Sequence, residues 1–173
     1  SYISNYLNPT EMYGIDISLS AIDIYNKIYN IDNLTFMVGD SENLPFEDST
    51  FDAVINVESS HCYASMDTFI SEVSRVLKPN AYFLFCDLRR AIYIDEMKNQ
   101  INSNGLSLIS TTDISSNILD ATAKMSKDRK ASINKLKAGW FKNILESFAA
   151  VKGSKVHNSF KDGYLQYISA ICK

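Results

Sequence analysis

The sequence is poor in the residues that build zinc modules and disulfide-linked domains. It contains only three cysteines, with no CxxC pair among them, and only two histidines. An odd cysteine count argues against a secreted, disulfide-linked fold. A chain of 173 residues buries enough surface to be stable without cross-links. We therefore expect no structural or catalytic metal and a reducing, cytoplasmic compartment.

The sequence also lacks a cationic cluster and a long apolar run. The formal net charge is -3, and no face rich in lysine and arginine is present to neutralise nucleic-acid phosphates. No apolar run approaches the roughly 18 residues that span a bilayer. The N-terminus does not show the basic-then-apolar pattern of a signal peptide. We expect neither a nucleic-acid partner nor a membrane span.

Short apolar runs alternate with amphipathic stretches over the first two-thirds of the chain. The runs are rich in β-branched and aromatic residues, as strands buried on both faces are. They are Met12–Ile17, Leu34–Gly39, Phe51–Val57 and Ala81–Asp87. This alternation predicts an α/β fold, a Rossmann-like, doubly wound, mostly parallel sheet with helices on both faces.

Helix-start residues follow two of these runs. Ser20 and Asp23 resemble a capping box, and Ser65 or Asp67 can cap a helix that Pro79 ends. Further helices are expected near Tyr2–Leu7, Ala91–Asn104, Ser115–Lys137 and Trp140–Val151, and strands near Leu106–Thr111 and Tyr164–Cys172. Because no repeat or linker interrupts the pattern, residues 1–173 are expected to form one domain, with acceptor-binding or lid helices at 112–155.

Acidic residues stand at the carboxyl ends of the predicted strands, where open parallel sheets bind ligands. Asp16 can accept hydrogen bonds from both hydroxyls of a ribose, although a turn or helix-cap role before Ser18 is at least as good an interpretation. Asp40 can accept from the exocyclic amine of an adenine while the Ser41 N–H donates to the ring. Taken alone, Asp40 is also typical of a turn.

His61 lies just past a predicted strand end, where a ligand would bind. An imidazole, with a reference pKa of about 6.5, can take a hydroxyl proton at neutral pH, above all when a carboxylate orients it. Asp87 ends the neighbouring strand and is the expected partner. A structural histidine is the alternative, and the presence of Asp87 favours the catalytic interpretation. The other histidine, His157, is expected in a polar loop.

Together these features resemble the class I S-adenosylmethionine-dependent methyltransferases. The resemblance rests on Asp16, the Asp40–Ser41 pair, and the segments Val57–Tyr63 and Phe85–Arg89. The pattern is similar to bacterial small-molecule O-methyltransferases of the phthiotriol-lipid and rebeccamycin-sugar types. The resemblance implies a small-molecule or lipid-like acceptor, an antiparallel C-terminal strand and a catalytic pair of His61 and Asp87. The S-adenosylmethionine-binding residues that it implies are Asp16, Ile17, Gly39, Asp40, Ser41 and Glu58.

Two departures from this family stand out. The six glycines form no GxGxxG cluster, so the glycine-rich cofactor loop and the strand before it have no counterpart. We therefore expect an N-terminally truncated chain whose sheet lacks its central first strand, leaving a gap that exposes apolar surface and unpaired backbone. Asn80 follows Pro79 where relatives usually have glycines, and asparagine tolerates the left-handed backbone of such a turn.

Other functions stay open at this stage. A methyltransferase acting on nitrogen or carbon has less need of a histidine base. A nicotinamide-dependent oxidoreductase also uses an acidic strand end, but no YxxxK motif occurs in the sequence. A non-catalytic, methyltransferase-like fragment is the remaining alternative, and the missing glycine-rich loop favours it.

Overall fold

A computed structural model of the chain describes residues 2–124 and 155–173. Its strands are β1 (Met12–Asp16), β2 (Leu34–Val38), β3 (Phe51–Val57), β4 (Leu77–Arg90), β5 (Leu108–Asp113) and β6 (Leu165–Cys172). Its named helices are α1 (Tyr2–Leu7), α2 (Leu19–Ile28), α3 (Met66–Val76), α4 (Ile94–Ser103) and α5 (Lys155–Lys161). Residues 115–124 are also helical, and short 3-10 turns span Ser60–Cys62 and Ala91–Tyr93.

The strands form a two-stranded sheet, β1-β2, and a four-stranded sheet in the order β3-β4-β6-β5. The pairs β1-β2 and β3-β4 are parallel, whereas β6 runs antiparallel to both of its neighbours. The predicted mostly parallel sheet with an antiparallel C-terminal strand is therefore confirmed. No ladder joins β1 to β3 in the described part of the chain, and Val57 of β3 is 57% exposed. The expected gap beside β1 is thus present.

The core lies between the four-stranded sheet and helices α3 and α4. The spacing of apolar residues on α3 buries Phe69, Ile70, Val73 and Val76. The first three of these belong to one cluster with Phe83 and Phe85 of β4 and Met97 and Ile101 of α4. Each such side chain contributes about 1.5–3 kcal/mol when fully buried. On the opposite face of the sheet, Phe160 of α5 packs on Tyr167 of β6, with ring centroids 6.3 Å apart. Helices therefore cover both faces, as predicted.

Helix capping differs from the prediction at one of two sites. The N-cap of α2 is Ser18, whose Oγ accepts the Ala21 N–H at 3.3 Å, so the predicted Ser20 capping box is wrong. At α3 the N-cap is Ser65, whose Oγ accepts the Thr68 N–H at 3.1 Å. Of the two residues offered for this helix, Ser65 is therefore the cap.

β4 is longer than the predicted strand Ala81–Asp87. α3 ends at Val76, and Leu77, expected on the helix, is the first residue of the strand. The register passes from Phe51 opposite Leu77 directly to Ala53 opposite Tyr82. Residues 78–81 therefore bulge out of the ladder, which suits Pro79 because proline has no N–H to donate. Asn80 in this bulge has φ 69, which confirms the left-handed turn.

The remaining predicted boundaries shift by a few residues or change type. The strand expected at Leu106–Thr111 is β5, two residues later, and the helix expected from Ala91 begins as a 3-10 turn before α4. His157 lies in α5 rather than in a loop. The predicted helix at Trp140–Val151 and most of the 112–155 region lie outside the described residues.

The described residues contain neither a membrane-spanning helix nor a cluster of metal-ligating side chains. Among them, no helix is both long and apolar enough to cross a membrane. Within the same residues, no group of three or more His, Cys, Asp and Glu side chains is placed to hold a metal ion.

Candidate active site

The carboxyl ends of β1 and β2 lie side by side. Asp16 stands opposite Val38 in the ladder, and the Gly39 N–H donates to the Asp16 carbonyl at 3.1 Å. Asp16 Oδ1 accepts the Ser18 N–H at 2.8 Å, which is the turn interaction considered as the alternative role. Its Oδ2 makes no hydrogen bond with any described residue and remains available as an acceptor. Ile17, the next residue, is 75% exposed.

Asp40 and Ser41 begin a tight turn after β2. Asp40 Oδ1 accepts the Glu42 N–H at 2.9 Å, and the Asp40 carbonyl accepts the Asn43 N–H at 3.1 Å. The Glu42 carboxylate in turn accepts hydrogen bonds from the backbone N–H groups of Ala64 and Ser65, at 2.7 and 3.2 Å. The candidate adenine-binding turn is thereby held against the loop that carries His61.

The backbone after β3 places His61 beside Asp87. Glu58 adopts a positive φ of 56, and the chain then enters the 3-10 turn Ser60–Cys62. Nδ1 of His61 lies 2.7 Å from Oδ1 of Asp87, which is fully buried at the end region of β4. The structure thus brings the side chains of His61 and Asp87, which the sequence predicts at neighbouring strand ends, into hydrogen-bonding contact.

Asp87 is surrounded by hydrogen-bond donors. Its Oδ2 accepts the Ser60 hydroxyl at 2.6 Å and the His61 N–H at 2.9 Å, and Arg89 Nη1 lies 3.1 Å away. Burial opposes ionisation of this carboxyl, but the hydrogen bonds from Ser60 and His61 and the charge of Arg89 outweigh it and hold the pKa of Asp87 below its ordinary value. Asp87 is consequently an ionised partner for the imidazole at neutral pH.

Ser60 is a site residue that the sequence did not single out. Only 4% of it is exposed, and while its hydroxyl donates to Asp87, its Oγ accepts from Arg89 Nη2 at 2.7 Å. A serine in a loop belongs to no helical or strand pattern. The only sequence signal for Ser60 is therefore its position next to His61.

A cavity of about 490 Å³ opens beside the His61–Asp87 pair. Its lining combines the pair's surroundings with side chains from the end of β4, the turn after it and α4. The lining residues are Ser60, His61, Met66, Leu88, Arg89, Arg90, Tyr93, Glu96, Met97, Gln100 and Leu165. A cavity with apolar walls and a few polar groups is typical of small-molecule sites.

Glu58 lies apart from this cavity and does not line it. Burial raises the pKa of the Tyr167 phenol on β6, and the nearby Glu58 carboxylate raises that pKa further. The predicted site residues thus fall into groups: Asp16, Ile17, Gly39, Asp40 and Ser41 at the ends of β1 and β2, His61 with Asp87 at the cavity, and Glu58 near Tyr167.

This arrangement of strands matches the Rossmann-like fold of solved methyltransferases. The structure of geranyl diphosphate C-methyltransferase from Streptomyces coelicolor A3(2), solved with Mg2+, geranyl diphosphate and S-adenosyl-L-homocysteine, superposes with a TM-score of 0.70. It is 15% identical, and the match covers 99% of this chain and 66% of that one. Residues 1–85 match the family described as "Methyltransferase domain".

Curated relatives agree with this assignment. The chain is 30% identical over 167 residues to "Phthiotriol/phenolphthiotriol dimycocerosates methyltransferase" of Mycobacterium leprae, covering 96% of this chain and 62% of the relative. It is 40% identical over 110 residues to "Fatty-acid O-methyltransferase" of Mycolicibacterium smegmatis, covering 64% of this chain and 40% of the relative. The chain therefore spans less than two thirds of the length of these relatives. The family resemblance seen in the sequence is confirmed.

Proposed function

We propose that the protein transfers a methyl group from S-adenosylmethionine to a hydroxyl of a small-molecule or lipid-like acceptor, with His61 as the general base. The observation that carries the proposal is the 2.7 Å contact between His61 Nδ1 and the buried Asp87, next to a cavity that His61 lines. Methyl transfer to a hydroxyl requires an aligned acceptor and a group that removes its proton.

The ends of β1 and β2 carry residues suited to S-adenosylmethionine. Asp16 keeps one carboxylate oxygen without a described partner, and this oxygen suits the ribose hydroxyls. Asp40 and Ser41 offer an acceptor and a donor for the adenine, and exposed Ile17 offers apolar surface beside them. When bound, S-adenosylmethionine supplies an electrophilic methyl group. Glu58 is assigned to the border of the methionine part by family resemblance.

The proton is handled by the chain's own residues. Because Asp87 accepts a hydrogen bond at His61 Nδ1, the proton of the neutral ring is held there and Nε2 keeps its lone pair. Nε2 accepts the proton of the acceptor hydroxyl, and the ionised Asp87 stabilises the imidazolium that forms. Ser60 and Arg89 keep Asp87 ionised and in position.

The cofactor assignment is tested by calorimetric titration of S-adenosylhomocysteine into this chain and into a version extended at its N-terminus. Asp16→Ala and Asp40→Ala should each weaken binding, because each removes a hydrogen-bonding carboxylate. Asp23→Ala, which removes an exposed carboxylate of α2, is the matched control and should bind as the unmodified chain does. Binding by neither form would favour the non-catalytic alternative.

The base assignment is tested with His61→Ala. Turnover should fall roughly 10²–10⁴-fold, while affinity for S-adenosylhomocysteine stays nearly unchanged. His157→Ala removes the other histidine and should leave turnover close to that of the unmodified protein. An unchanged rate in His61→Ala would favour methylation of nitrogen or carbon, and a loss of cofactor affinity with normal turnover would overturn the assignment.

A further inference from the structure

Arg90, the last residue of β4, lies between two tyrosine rings at the cavity. Its guanidinium carbon is 5.2 Å from the ring centroid of Tyr93 and 5.0 Å from that of Tyr164. The backbone places Tyr164 beside Arg90, because Arg90 stands opposite Leu165 in the ladder and the Ala91 N–H donates to the Tyr164 carbonyl at 3.0 Å. Tyr93 lies in the 3-10 turn that directly follows β4. Such cation–π contacts use the faces of the guanidinium and leave its in-plane N–H donors available.

No carboxylate in the described part of the chain forms a salt bridge with Arg90. The neighbouring Arg89, by contrast, is paired with Asp87 at 3.1 Å and bonded to Ser60 at 2.7 Å. Glu96 also lines the cavity but forms no salt bridge with Arg90. Arg90 therefore carries a positive charge that no described carboxylate pairs with, in a lining that also holds the Glu96 carboxylate.

The rest of the cavity suits an apolar body. Met66, Met97 and Leu165 line it together with His61 and Arg90. A carboxylate matches the planar fork of a guanidinium, with which it can form two parallel hydrogen bonds. A molecule with an apolar body, a hydroxyl and a carboxylate would therefore match the apolar side chains, His61 and Arg90 of this lining.

We propose that Arg90 determines specificity by binding the carboxylate of an apolar hydroxy acid whose hydroxyl faces His61. The inference rests on the proposed function for the role of that hydroxyl. The carboxylate is a recognition group, and the methyl group goes to the hydroxyl.

The test compares 3-hydroxydecanoate with decane-1,3-diol, its neutral counterpart, by calorimetric titration into the full chain. The unmodified chain should prefer the acid, and this preference should shrink at high salt. Arg90→Gln should weaken binding of the acid about tenfold to a hundredfold, as the loss of a charge-assisted hydrogen bond does, and leave the diol unchanged. Arg90→Lys should restore part of the preference.

Lys98→Gln is the matched control, since it removes an exposed cation of α4 whose partner is Asp95 at 3.2 Å, and it should bind both probes as the unmodified chain does. Equal affinity for acid and diol, no binding of either, or an equal loss of both in Arg90→Gln would overturn the inference.

Titration of S-adenosylhomocysteine separates the Arg90 inference from the proposed function. If either the chain or its N-terminally extended version binds that ligand and the acid is not preferred, only the Arg90 inference fails. If the acid binds in an Arg90-dependent way and neither version binds S-adenosylhomocysteine, the proposed function fails instead.

Discussion

Glu42 accepts a hydrogen bond of 2.7 Å from the backbone N–H of Ala64. This contact joins the turn after β2 to the loop before α3, and so connects the two sheets at the candidate active site. Because no ladder joins β1 to β3 among the described strands, side-chain contacts of this kind connect the turn after β2 to the loop that carries His61.

Glu42→Ala should lower the free energy of unfolding by about 1 kcal/mol, because it leaves the N–H groups of Ala64 and Ser65 without their acceptor. Glu42→Gln keeps an acceptor oxygen and should cost less. Urea unfolding of the three proteins measures both effects. An alanine variant as stable as the glutamine variant would contradict the role given to the carboxylate.

Arg75 of α3 makes a second set of hydrogen bonds to the loop that follows Asp40. Its guanidinium donates to the carbonyls of Leu44 and Phe46 at 3.0 and 2.7 Å and pairs with Glu72 at 2.7 Å. Arg75→Lys keeps the charge but cannot reach all these acceptors at once, so it should lower the unfolding free energy by about 2 kcal/mol. Lys78→Arg is the control for exchanging lysine and arginine, because Lys78 forms an exposed salt bridge with Asp52. Equal stabilities would show that charge alone suffices.

The stabilisation that the ionised Asp87 carboxylate gives to the folded protein should be lost at acid pH. Its pKa is held below the ordinary value in the folded state, so the unfolded chain binds a proton more readily. The stabilisation is therefore present above the unfolded pKa of about 3.9 and is lost as pH falls through the lower folded value. Glu72, whose pKa is lowered chiefly by its hydrogen bond with Arg75, adds to the loss in the same direction.

Ser60→Ala removes one of the bonds that keep the Asp87 pKa low, so the folded pKa moves towards the unfolded value, and the acid loss of stability should be smaller and end at a higher pH than in the unmodified protein. Urea unfolding between about pH 2.5 and 6 measures this shift. The Asp52→Asn variant alters an exposed carboxylate and serves for comparison. Identical profiles for Ser60→Ala and the unmodified chain would remove Ser60 from this role.

Two glycines with left-handed backbone offer a matched pair. Gly105 after α4 has φ +90 and Gly163 after α5 has φ +73, but only at Gly105 would an added Cβ collide, with Ser74 Oγ of α3. Gly163→Ala should cost about 1 kcal/mol from backbone strain, and Gly105→Ala about 2–3 kcal/mol because overpacking is added to the strain. Thermal or urea unfolding compares them, and an equal cost would mean that Ser74 simply turns away.

Much of the fold could be predicted because the strands carry strong local patterns. The apolar runs ending at Asp16, Val57 and Asp87 are strands, since their β-branched and aromatic residues favour extended backbone. The contact between His61 and Asp87 could also be predicted, because neighbouring parallel strands end at one edge of the sheet.

What could not be predicted depends on contacts distant in sequence. β4 begins at Leu77 because its ladder with β3 tolerates a bulge around Pro79, and no local pattern reports such a register. Ser60 became part of the site through Asp87, 27 positions away. Tyr164 lies against Arg90 only because β6 folds back along β4.

The four-stranded sheet can close only late in synthesis, because β6 lies between β4 and β5. β6 pairs with β4 on one side and with β5 on the other, and in the described structure β5 has no other neighbour. The four-stranded sheet therefore cannot close until residues 165–172 have left the ribosome, although its other strands emerge much earlier. Until then the apolar face of β4 and the unpaired edges on both sides of the β6 position are open to chaperones, and to association with other nascent chains.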